Sequence, residues 1–425
     1  MAKPKLALIP AAYGTKFYSI LPSDGVGDFD FSRGSVATRI NPEGLIETIT
    51  SGQSRLNYPL VNGVVKGCPH YLLEPSRTNL IPYSEDFTQW SFKTGVSVLS
   101  NEIISVDGNL NGSKIETTAN GSRYVGNNYT LSTGDNTFSV FAKKGINNWI
   151  YLNVVKDGTN NWNYTFDLDN GLIGQSNSSA YSTTAKIEDY GNGWYRCSIS
   201  ANVTTAGVFT ARIYCADRAS DVSTIVGSNI YIYGAQLEEG SFATSYIPTN
   251  GTPVTRSVET ANGAGDASTF NDSEGVLMAE ISALSDDLIN RRITISDNST
   301  SNRIVLGFAD ASNTILALVG SSGTQFISTI AISDIKVNNK FALKYKQNDF
   351  ALWINGFEAA TDTSGNTPTG LSTLKIQGST GFSNFYGKTK QLQYFDSALA
   401  DTLLEQLTSW LSFRDMAEAQ SYTIQ

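Results

Sequence analysis

Short runs in which apolar and polar residues alternate fill the chain from about residue 83 onward. Successive side chains of a β-strand point to opposite faces, so a period of two predicts strands with one buried face. In Asn136–Lys143, for example, Phe138, Val140 and Ala142 share one face. The pattern therefore predicts an all-β protein with partly buried sheets.

The runs between residues 83 and 256 follow one another at the spacing of a β-sandwich. Asp169-Asn170-Gly171 and Gly191-Asn192-Gly193 are hairpin turns by composition, because asparagine and glycine tolerate positive φ. A jelly roll or a related sandwich accounts for them. The predicted strands are Thr94–Ser100, Asn136–Lys143, Asn148–Val155, Trp162–Leu168, Ala185–Asp189, Trp194–Asn202, Val208–Tyr214 and Ser228–Leu237.

A second set of strands begins after Val254–Asn271, a stretch that is either a linker or an ordered crossing strand. Its runs include Arg292–Ser296 and Arg303–Ala309, and they predict a second β-sandwich. Near the C-terminus the apolar spacing changes to three and four, which predicts one amphipathic helix, with Asp396 or Ser397 as its cap. The residues that carry this spacing are Leu399, Leu403, Leu404, Leu407, Trp410 and Leu411.

Residues 1–82 show neither period, which predicts an extended N-terminal arm. Such an arm cannot satisfy its own backbone or bury its own apolar side chains, so it should lie along a neighbouring domain or subunit. Burial of leucine side chains would contribute most of the stability of the docked arm. Ion pairs between its arginines and carboxylates would fix its position along its partner. The residues predicted to dock are Arg39, Arg55, Arg77, Leu72 and Leu73.

Charge and composition exclude several classes of function. The net charge of −9 opposes the binding of nucleic acid, which depends on basic side chains. No apolar stretch is long enough to insert into a membrane. The single histidine, His70, leaves little room for imidazole catalysis or histidine metal sites, so an enzyme is not expected. No cofactor is expected either, although Asp167 and Asp169 offer oxygen ligands that Ca²⁺ accepts.

Aromatic residues surrounded by asparagines are the best candidates for a binding site. Sugar rings stack on tryptophan and tyrosine, and amide side chains supply the flanking hydrogen bonds. Trp149, Trp162, Tyr164 and Asn161 lie in asparagine-rich surroundings and are the predicted glycan-binding residues. Carboxylate doublets such as Glu238-Glu239 point to opposite faces of a strand, so they do not form a catalytic pair.

Several motifs then resemble a family. Ser32-Arg33-Gly34-Ser35-Val36-Ala37-Thr38-Arg39, Pro69–Leu80 and Tyr83–Phe87 with Trp90 resemble, in that order, an arm found in tailed-bacteriophage structural proteins. Gly193–Cys197 and Tyr233–Gly240 followed by Ala243–Thr249 resemble the closing half of the carbohydrate-binding-type jelly roll that follows that arm. Ala351–Gly356 and Gln391–Tyr394 are similar to concanavalin A-like and laminin-G-like domains.

The resemblance implies a virion component made in the host cytoplasm, such as a tail fibre, a receptor-binding protein or a capsid decoration protein. Its implied partners are other virion proteins, sister subunits in a homotrimer and host-surface glycans. Two alternatives remain open, a tailspike-like polysaccharide depolymerase and a purely architectural decoration protein. The predicted domains are an arm at 1–82, a carbohydrate-binding-type β-sandwich at 83–256 and a concanavalin A-like sandwich with a C-terminal helix at 257–425.

Overall fold

The structure is a computed structural model that describes residues 3–158, 160–178, 181–218, 222–412 and 415–416. Strands form 53% of it and helices 3%, so the prediction of an all-β fold built from β-sandwiches is confirmed. Within the described residues, no helix has both the length and the apolar character that a membrane crossing requires.

The N-terminal region is built of short strands. They pair mainly with each other and with strands from the far end of the chain. The strands are β1 (Leu6–Tyr13), β2 (Lys16–Leu21), β3 (Phe29–Ser32), β4 (Ala37–Ile40), β5 (Ile46–Ile49), β6 (Leu56–Asn57), β7 (Leu60–Val61), β8 (Val64–Val65), β9 (His70–Leu73) and β10 (Arg77–Asn79).

The middle region follows a 3-10 turn at Phe87–Gln89 and contains two six-stranded antiparallel sheets. Its strands are β11 (Phe92–Thr94), β12 (Val96–Ile104), β13 (Leu110–Thr117), β14 (Gly121–Ser122), β15 (Tyr124–Leu131), β16 (Gly134–Lys144), β17 (Trp149–Val155), β18 (Asn161–Asp167), β19 (Leu172–Ile173), β20 (Thr183–Asp189), β21 (Trp194–Val203), β22 (Gly207–Ala216), β23 (Ser223–Thr224), β24 (Asn229–Glu239) and β25 (Val254–Arg256). Sheet I has the order β11-β15-β22-β17-β18-β19, and sheet II has the order β12-β13-β24-β16-β21-β20.

Sheets I and II face each other across one core. Ile150 and Ile213 of sheet I and Phe138 and Ile199 of sheet II belong to the same buried cluster. Every second residue of these strands enters the core, as the alternation of the sequence predicts. The middle region is therefore a β-sandwich whose two outer faces carry the remaining side chains.

The C-terminal region supplies most of a third sheet, sheet III. Its elements are β26 (Thr260–Ala264), β27 (Glu274–Ala283), β28 (Arg291–Ser296), β29 (Asn302–Phe308), β30 (Thr314–Ser321), β31 (Thr324–Ala331), β32 (Asn339–Lys346), β33 (Phe350–Ile354), β34 (Phe357–Asp362), β35 (Thr373–Lys375), β36 (Gly387–Phe395) and the helix α1 (Asp401–Thr408). The order along sheet III is β31-β30-β29-β28-β35-β26-β3-β2-β1-β36-β27-β32-β33-β34, with β9 on β36 and β6 on β9.

Sheet III folds over on itself around a single core. Phe326 of β31 stacks on Phe350 of β33 with ring centroids 6.0 Å apart, so the two ends of the strand order face each other. Phe308 and Phe341 meet edge to face at 6.2 Å deeper in the same core. The C-terminal region is therefore the second β-sandwich.

The N-terminal region completes that second sandwich. Leu6 of β1 pairs with Tyr394 of β36, and Ser32 of β3 pairs with Thr260 of β26, so β1, β2 and β3 bridge the two halves of sheet III. Leu6 and Phe17 are fully buried in its core. The expectation that this region lies along a neighbouring domain is confirmed within the chain. The pairing of these strands across the chain was not predicted, because burial does not alternate along β1.

The C-terminal helix α1 packs on the outside of the second sandwich. Leu404 is buried against Trp353 and Phe395, which confirms the predicted amphipathic contact. The predicted cap is wrong, because α1 begins after Ala400, which makes no side-chain capping bond. Leu411, which was assigned to the apolar face, lies beyond the end of the helix and is 96% exposed.

Candidate functional site

The outer face of sheet I carries the candidate site. Ile150, Leu152 and Val154 of β17 enter the core and are fully buried. Tyr151 and Asn153 lie between them along the strand and therefore point to the opposite, outer face. The strand thus holds a polar and aromatic surface on a rigid apolar support.

Three tyrosines form a continuous aromatic strip across this face. In the antiparallel register Tyr214 of β22 stands opposite both Tyr124 of β15 and Tyr151 of β17. The ring centroids of Tyr124 and Tyr214 are 5.0 Å apart, and those of Tyr214 and Tyr151 are 5.2 Å apart. These spacings are those of favourable aromatic pairs. The three residues are named here the tyrosine row.

A polar row runs beside the tyrosine row. Arg212 of β22 stands opposite Asn153 of β17, which stands opposite Asn163 of β18. The guanidinium carbon of Arg212 lies 4.7 Å from the centre of the Tyr124 ring, a cation–π contact. The Nε atom of Arg212 is buried and has no hydrogen-bond partner. The polar row (Arg212, Asn153 and Asn163) therefore holds a donor that is oriented but unpaired.

Glycine at position 126 lets Arg212 lie against the sheet. Gly126 stands opposite Arg212 in the register of β15 and β22. A Cβ atom on Gly126 would lie 3.2 Å from Cγ of Arg212 and 2.9 Å from the carbonyl oxygen of Ala211. A larger residue would therefore displace the arginine from its place beside the tyrosine row.

The loop after β19 forms one wall of the site and is fixed by Asn163. The Oδ1 atom of Asn163 accepts a hydrogen bond from the backbone N–H of Asn177 at 2.8 Å. Its Nδ2 atom donates to Oδ1 of Asn161 at 2.8 Å. The resulting depression has a volume of about 500 Å³. It is lined by Tyr151, Asn153, Val155, Lys156, Asp157, Gly158, Asn161, Asn163, Asn177 and Arg212.

Two tyrosines of this face, Tyr151 and Tyr214, have a raised pKa and are neutral at physiological pH. Burial raises the pKa of Tyr151 to about 12, and the neighbouring Tyr214 adds to the shift while Arg212 opposes it. Burial likewise raises the pKa of Tyr214. Neutral phenols both donate and accept hydrogen bonds, so the face offers hydroxyl, amide and guanidinium groups beside apolar rings. Such a surface can bind a polyhydroxylated ligand.

The structure places the four predicted glycan-binding residues in different environments. Asn161 lines the depression, as expected. Trp162 is fully buried in the core, where its ring packs on Tyr181 and Phe209 at 5.7 and 5.6 Å. It stands opposite the core residue Val154, so it points inward and cannot contact a ligand. The prediction for Trp162 is therefore wrong.

Tyr164 and Trp149 also lie outside the depression. Tyr164 stands opposite the core residue Leu152 and packs half-buried against the core. Trp149 is on the outer face, but it is half-buried against the loop at Gly174, where a Cβ atom would lie 2.7 Å from the indole ring. Neither side chain is placed to stack on a ligand in the depression.

The residues predicted to dock the arm are mostly buried inside the chain. Arg55 is fully buried, and Leu72 and Leu73 lie in β9, which pairs with β36. These three residues therefore dock the N-terminal region within the chain. Only the alternative that they contact another subunit is corrected. Arg39 forms a half-exposed pair with Glu47 at 2.9 Å. The partly exposed Arg77 lies against the Phe242 ring at 5.9 Å.

The oxygen atoms considered for Ca²⁺ already have partners. The carboxylate of Asp167 accepts from the backbone N–H groups of Asp169 and Asn170 and from the Asn170 side chain. Asp169 pairs with Lys144. Among the described residues, no group of three or more His, Cys, Asp or Glu is arranged to hold a metal ion.

Most of the site was missed from the sequence. Tyr124, Tyr214, Arg212 and Asn153 were not singled out, although Tyr214, Arg212 and Asn153 lie in predicted strands. The strand that carries Tyr124 was itself not predicted. Asn153 inside an otherwise apolar strand was the available signal. The register that brings residues 124, 151 and 214 side by side joins positions up to 90 apart in the chain and cannot be read from alternation.

Comparison with known proteins gives only weak likenesses. No protein-family model matches the chain, and no curated protein matches it. The CBM40 of the Ruminococcus gnavus IT-sialidase is 19% identical over 34% of this chain and 87% of that chain, with a TM-score of 0.30. The leech intramolecular trans-sialidase, complexed with 2,7-anhydro-Neu5Ac, is 16% identical over 34% of this chain and 24% of that chain, with a TM-score of 0.29.

A third similar structure is domain 4 of AbnA, an extracellular GH43 arabinanase from Geobacillus stearothermophilus, in complex with arabinotriose. It is 12% identical over 40% of this chain and 82% of that chain, with a TM-score of 0.29. At such identities and scores, these likenesses assign neither a family nor a ligand to this chain.

Proposed function

We propose that the chain is a glycan-binding protein and that it binds sugar on the outer face of sheet I. The observation that carries this proposal is the tyrosine row beside the guanidinium of Arg212, which lines the depression. An aromatic strip takes the apolar face of a sugar ring, and an oriented polar row takes its hydroxyls.

The site is pre-organised for such a ligand. Tyr214 is held on both sides by neighbouring rings, and Asn163 is held by its bonds to Asn161 and Asn177. Arg212 lines the depression and is held by its cation–π contact with Tyr124, so a ligand oxygen would meet a guanidinium that is already oriented. Little side-chain entropy remains to be lost on binding.

Binding rather than hydrolysis is proposed for this site. Glycoside hydrolysis ordinarily needs two carboxyl groups about 5–9.5 Å apart across the sugar. Among the described residues that line the depression, Asp157 is the only carboxylate, and it accepts hydrogen bonds from Asn160 at 2.8 and 3.0 Å. A depolymerase therefore has no support from this depression.

The proposed setting is the exterior of a phage virion, where the protein would attach the particle to host-surface glycans. Its support is the resemblance of residues 30–256 to tailed-phage structural proteins. A homotrimer with several copies per particle would turn weak sugar affinity into avidity. The buried N-terminal strands supply no argument for an oligomer. Gold-labelled antibody on intact particles tests the location, and particles without label would contradict it.

The binding proposal is tested with a glycan array and calorimetry on the full chain. We expect at least one glycan to bind, and Arg212→Gln and Tyr151→Ala to weaken that binding about 10-fold or more, the scale of one charge-assisted bond or one stacked ring. Tyr13→Ala is the matched control, because Tyr13 is 80% exposed on β1, outside the site. A blank array, as a purely architectural protein predicts, or unchanged affinity in both variants would refute the proposal.

A further inference from the structure

Arg212, which lines the depression on sheet I, is a cation without an anionic partner. Its guanidinium carbon lies 4.7 Å from the centre of the Tyr124 ring, and its Nη1 atom lies 3.5 Å from the hydroxyl oxygen of Tyr214. In the part of the chain that the structure describes, Arg212 forms no salt bridge, whereas Arg291 on sheet III pairs with Asp287 at 2.6 Å. The charge of Arg212 is therefore available to a ligand in the depression.

Beside Arg212 lies an amide group that also lacks a partner. Asn153 of β17 lines the depression, is only 6% exposed, and makes no side-chain hydrogen bond with any residue that the structure describes. The next amide along the polar row is occupied, because Asn163 bonds to Asn161 and Asn177. Polar groups with so little exposure are nearly always hydrogen-bonded. The free amide of Asn153 is thus a second, independent sign of a ligand.

The strand register holds these two free groups side by side. Asn153 stands directly opposite Arg212 in the antiparallel pair of β17 and β22. Residues in such a pair have Cα atoms about 4.5–5.5 Å apart, and their side chains stand on the same face of the sheet. The guanidinium of Arg212 and the amide of Asn153 can therefore donate to one planar acceptor group.

A carboxylate satisfies this pair of donors better than a sugar hydroxyl does. Hydrogen bonds between a guanidinium and a carboxylate are charge-assisted and about twice as strong as bonds between neutral groups. The planar fork of an arginine also matches the two oxygen atoms of a carboxylate. A hydroxyl, by contrast, would leave the charge of Arg212 without a counter-charge.

The other charges of the lining favour a carboxylate with a single charge. Asp157 is held in its own loop, because its carboxylate accepts from the backbone N–H of Asn160 at 2.8 Å and from the Asn160 amide at 3.0 Å. Lys156 donates its Nζ atom to the carbonyl oxygen of Ala206 at 3.0 Å. A phosphate monoester carries a charge of about −1.5 to −2 at pH 7 and would need a second free cation beside Arg212.

Tyr151 supplies an aromatic ring next to the two donors. It lies two residues before Asn153 on β17, so both side chains stand on the same face, and both line the depression. Residues two apart in a strand are separated by about 6.5–7 Å, so one sugar residue with its substituents can contact both. The ring of the sugar then packs on Tyr151 while its substituent reaches Arg212.

We propose that the depression on sheet I binds a sugar residue that carries a carboxylate. The carboxylate oxygens accept hydrogen bonds from the guanidinium of Arg212 and from Nδ2 of Asn153, and the sugar ring packs on Tyr151. This inference rests on the proposed function, because it names the class of sugar that the same site takes.

The test is a glycan array printed in two matched copies, one native and one in which every carboxylate has been reduced to a primary alcohol. The full chain should bind at least one carboxylate-bearing glycan and bind its reduced counterpart about 10-fold or more weakly, because reduction removes the charge-assisted bonds. Equal binding to both copies, or binding to neutral glycans alone, would overturn the carboxylate but leave a glycan-binding protein. A blank array would refute the proposed function as well.

A variant of Asn153 locates the carboxylate. Asn153→Asp keeps the shape of the side chain but places a negative charge beside Arg212, so affinity for the acidic glycan should fall about 10-fold or more. The melting temperature should stay the same or rise, because the new carboxylate can pair with Arg212. Asn366→Asp is the matched control, since Asn366 is exposed in a loop of the second sandwich and the change adds the same charge. An equal loss of affinity in both variants would overturn the proposal.

A variant of Arg212 tests the origin of the selectivity. Arg212→Gln removes the charge but keeps a donor, so the native and the reduced glycan should bind this variant with nearly equal affinity. Calorimetry of the full chain with both forms of the glycan measures the ratio. If the variant still preferred the native glycan as strongly as the unaltered protein does, the carboxylate would lie elsewhere and the proposal would be wrong.

Discussion

Arg55 and Glu259 form a fully buried ion pair between parts of the chain that are 204 residues apart, with Nε of Arg55 donating to Oε1 of Glu259 at 2.8 Å. Arg33 also pairs with Glu259, at 2.8 Å, and Arg55 and Arg256 both pair with Glu74, at 2.8 and 3.1 Å. This buried charge cluster (Arg33, Arg55, Arg256, Glu74 and Glu259) ties the N-terminal strands to the start of the second sandwich.

The cluster predicts a large cost when one partner is removed. Arg55→Met leaves two buried carboxylates with one fewer guanidinium, and such a change costs about 3–5 kcal/mol of unfolding free energy. Arg39→Gln, which breaks the half-exposed pair with Glu47, should cost at most about 1 kcal/mol. Urea unfolding measures the loss of unfolding free energy in both variants. Equal losses would show that the buried charge cluster stabilises the fold no more than the half-exposed pair does.

Removal of the first three strands should unfold sheet III selectively. Without residues 1–32, β36 and β26 lose the strands between them, and the core loses Leu6, Phe17 and Phe29. Hydrogen exchange should then become fast in β27 and β36 but stay slow in β17 and β22. If β27 and β36 remained as protected from exchange as in the full chain, the N-terminal strands would not be needed for the stability of the sandwich.

Trp162 and Tyr151 should separate stability from binding. Trp162→Phe reduces a fully buried side chain and should lower the unfolding free energy by about 0.5–3 kcal/mol while glycan affinity stays unchanged. Tyr151→Ala should weaken glycan binding while the unfolding free energy changes little, because Tyr151 lies on the outer face. Affinity lost in Trp162→Phe without loss of folding would restore Trp162 as a binding residue.

Glu85 predicts a pH dependence of stability. Its Oε1 atom accepts from the hydroxyls of Tyr233 and Tyr246 at 3.0 Å each, but burial dominates and raises the pKa of Glu85 above its ordinary value of 4.5. The folded protein therefore holds the proton to higher pH than the unfolded chain. The contribution of Glu85 is fully present below pH 4.5 and is lost as the pH rises through the folded pKa.

The measurement is a difference between two proteins. Glutamine at position 85 cannot titrate, so the unfolding free energy of Glu85→Gln relative to the unaltered protein should rise as the pH rises from about 4 to 8. All other titrating groups are common to both proteins and largely cancel. A difference that stays flat over this range would show that burial does not shift Glu85.

The strands could be predicted from sequence wherever one face of the strand is buried and the other is exposed to solvent. The predicted Asn148–Val155 is β17 (Trp149–Val155) within one residue. Hydrophobic alternation reports only on a strand's own two faces. It therefore located these strands but not their partners.

The candidate site could not be predicted because it is made by register between distant strands. Asparagine-rich surroundings suggested that Trp162 is exposed, but residue 162 shares the inward parity of Phe166, and burial of a large ring outweighs polar neighbours. Arg55 was predicted to pair with a carboxylate where the arm docks. Its partner Glu259 lies so far along the chain that no local pattern could reveal the buried pair.

The most direct test of the central claim is a crystal structure of the full chain with the glycan that binds best on the array. The account predicts sugar density on the outer face of sheet I, with a ring within about 4 Å of Tyr151 or Tyr214 and an oxygen within hydrogen-bond distance of the Arg212 guanidinium. Clear density for the glycan elsewhere, with this face empty, would contradict it.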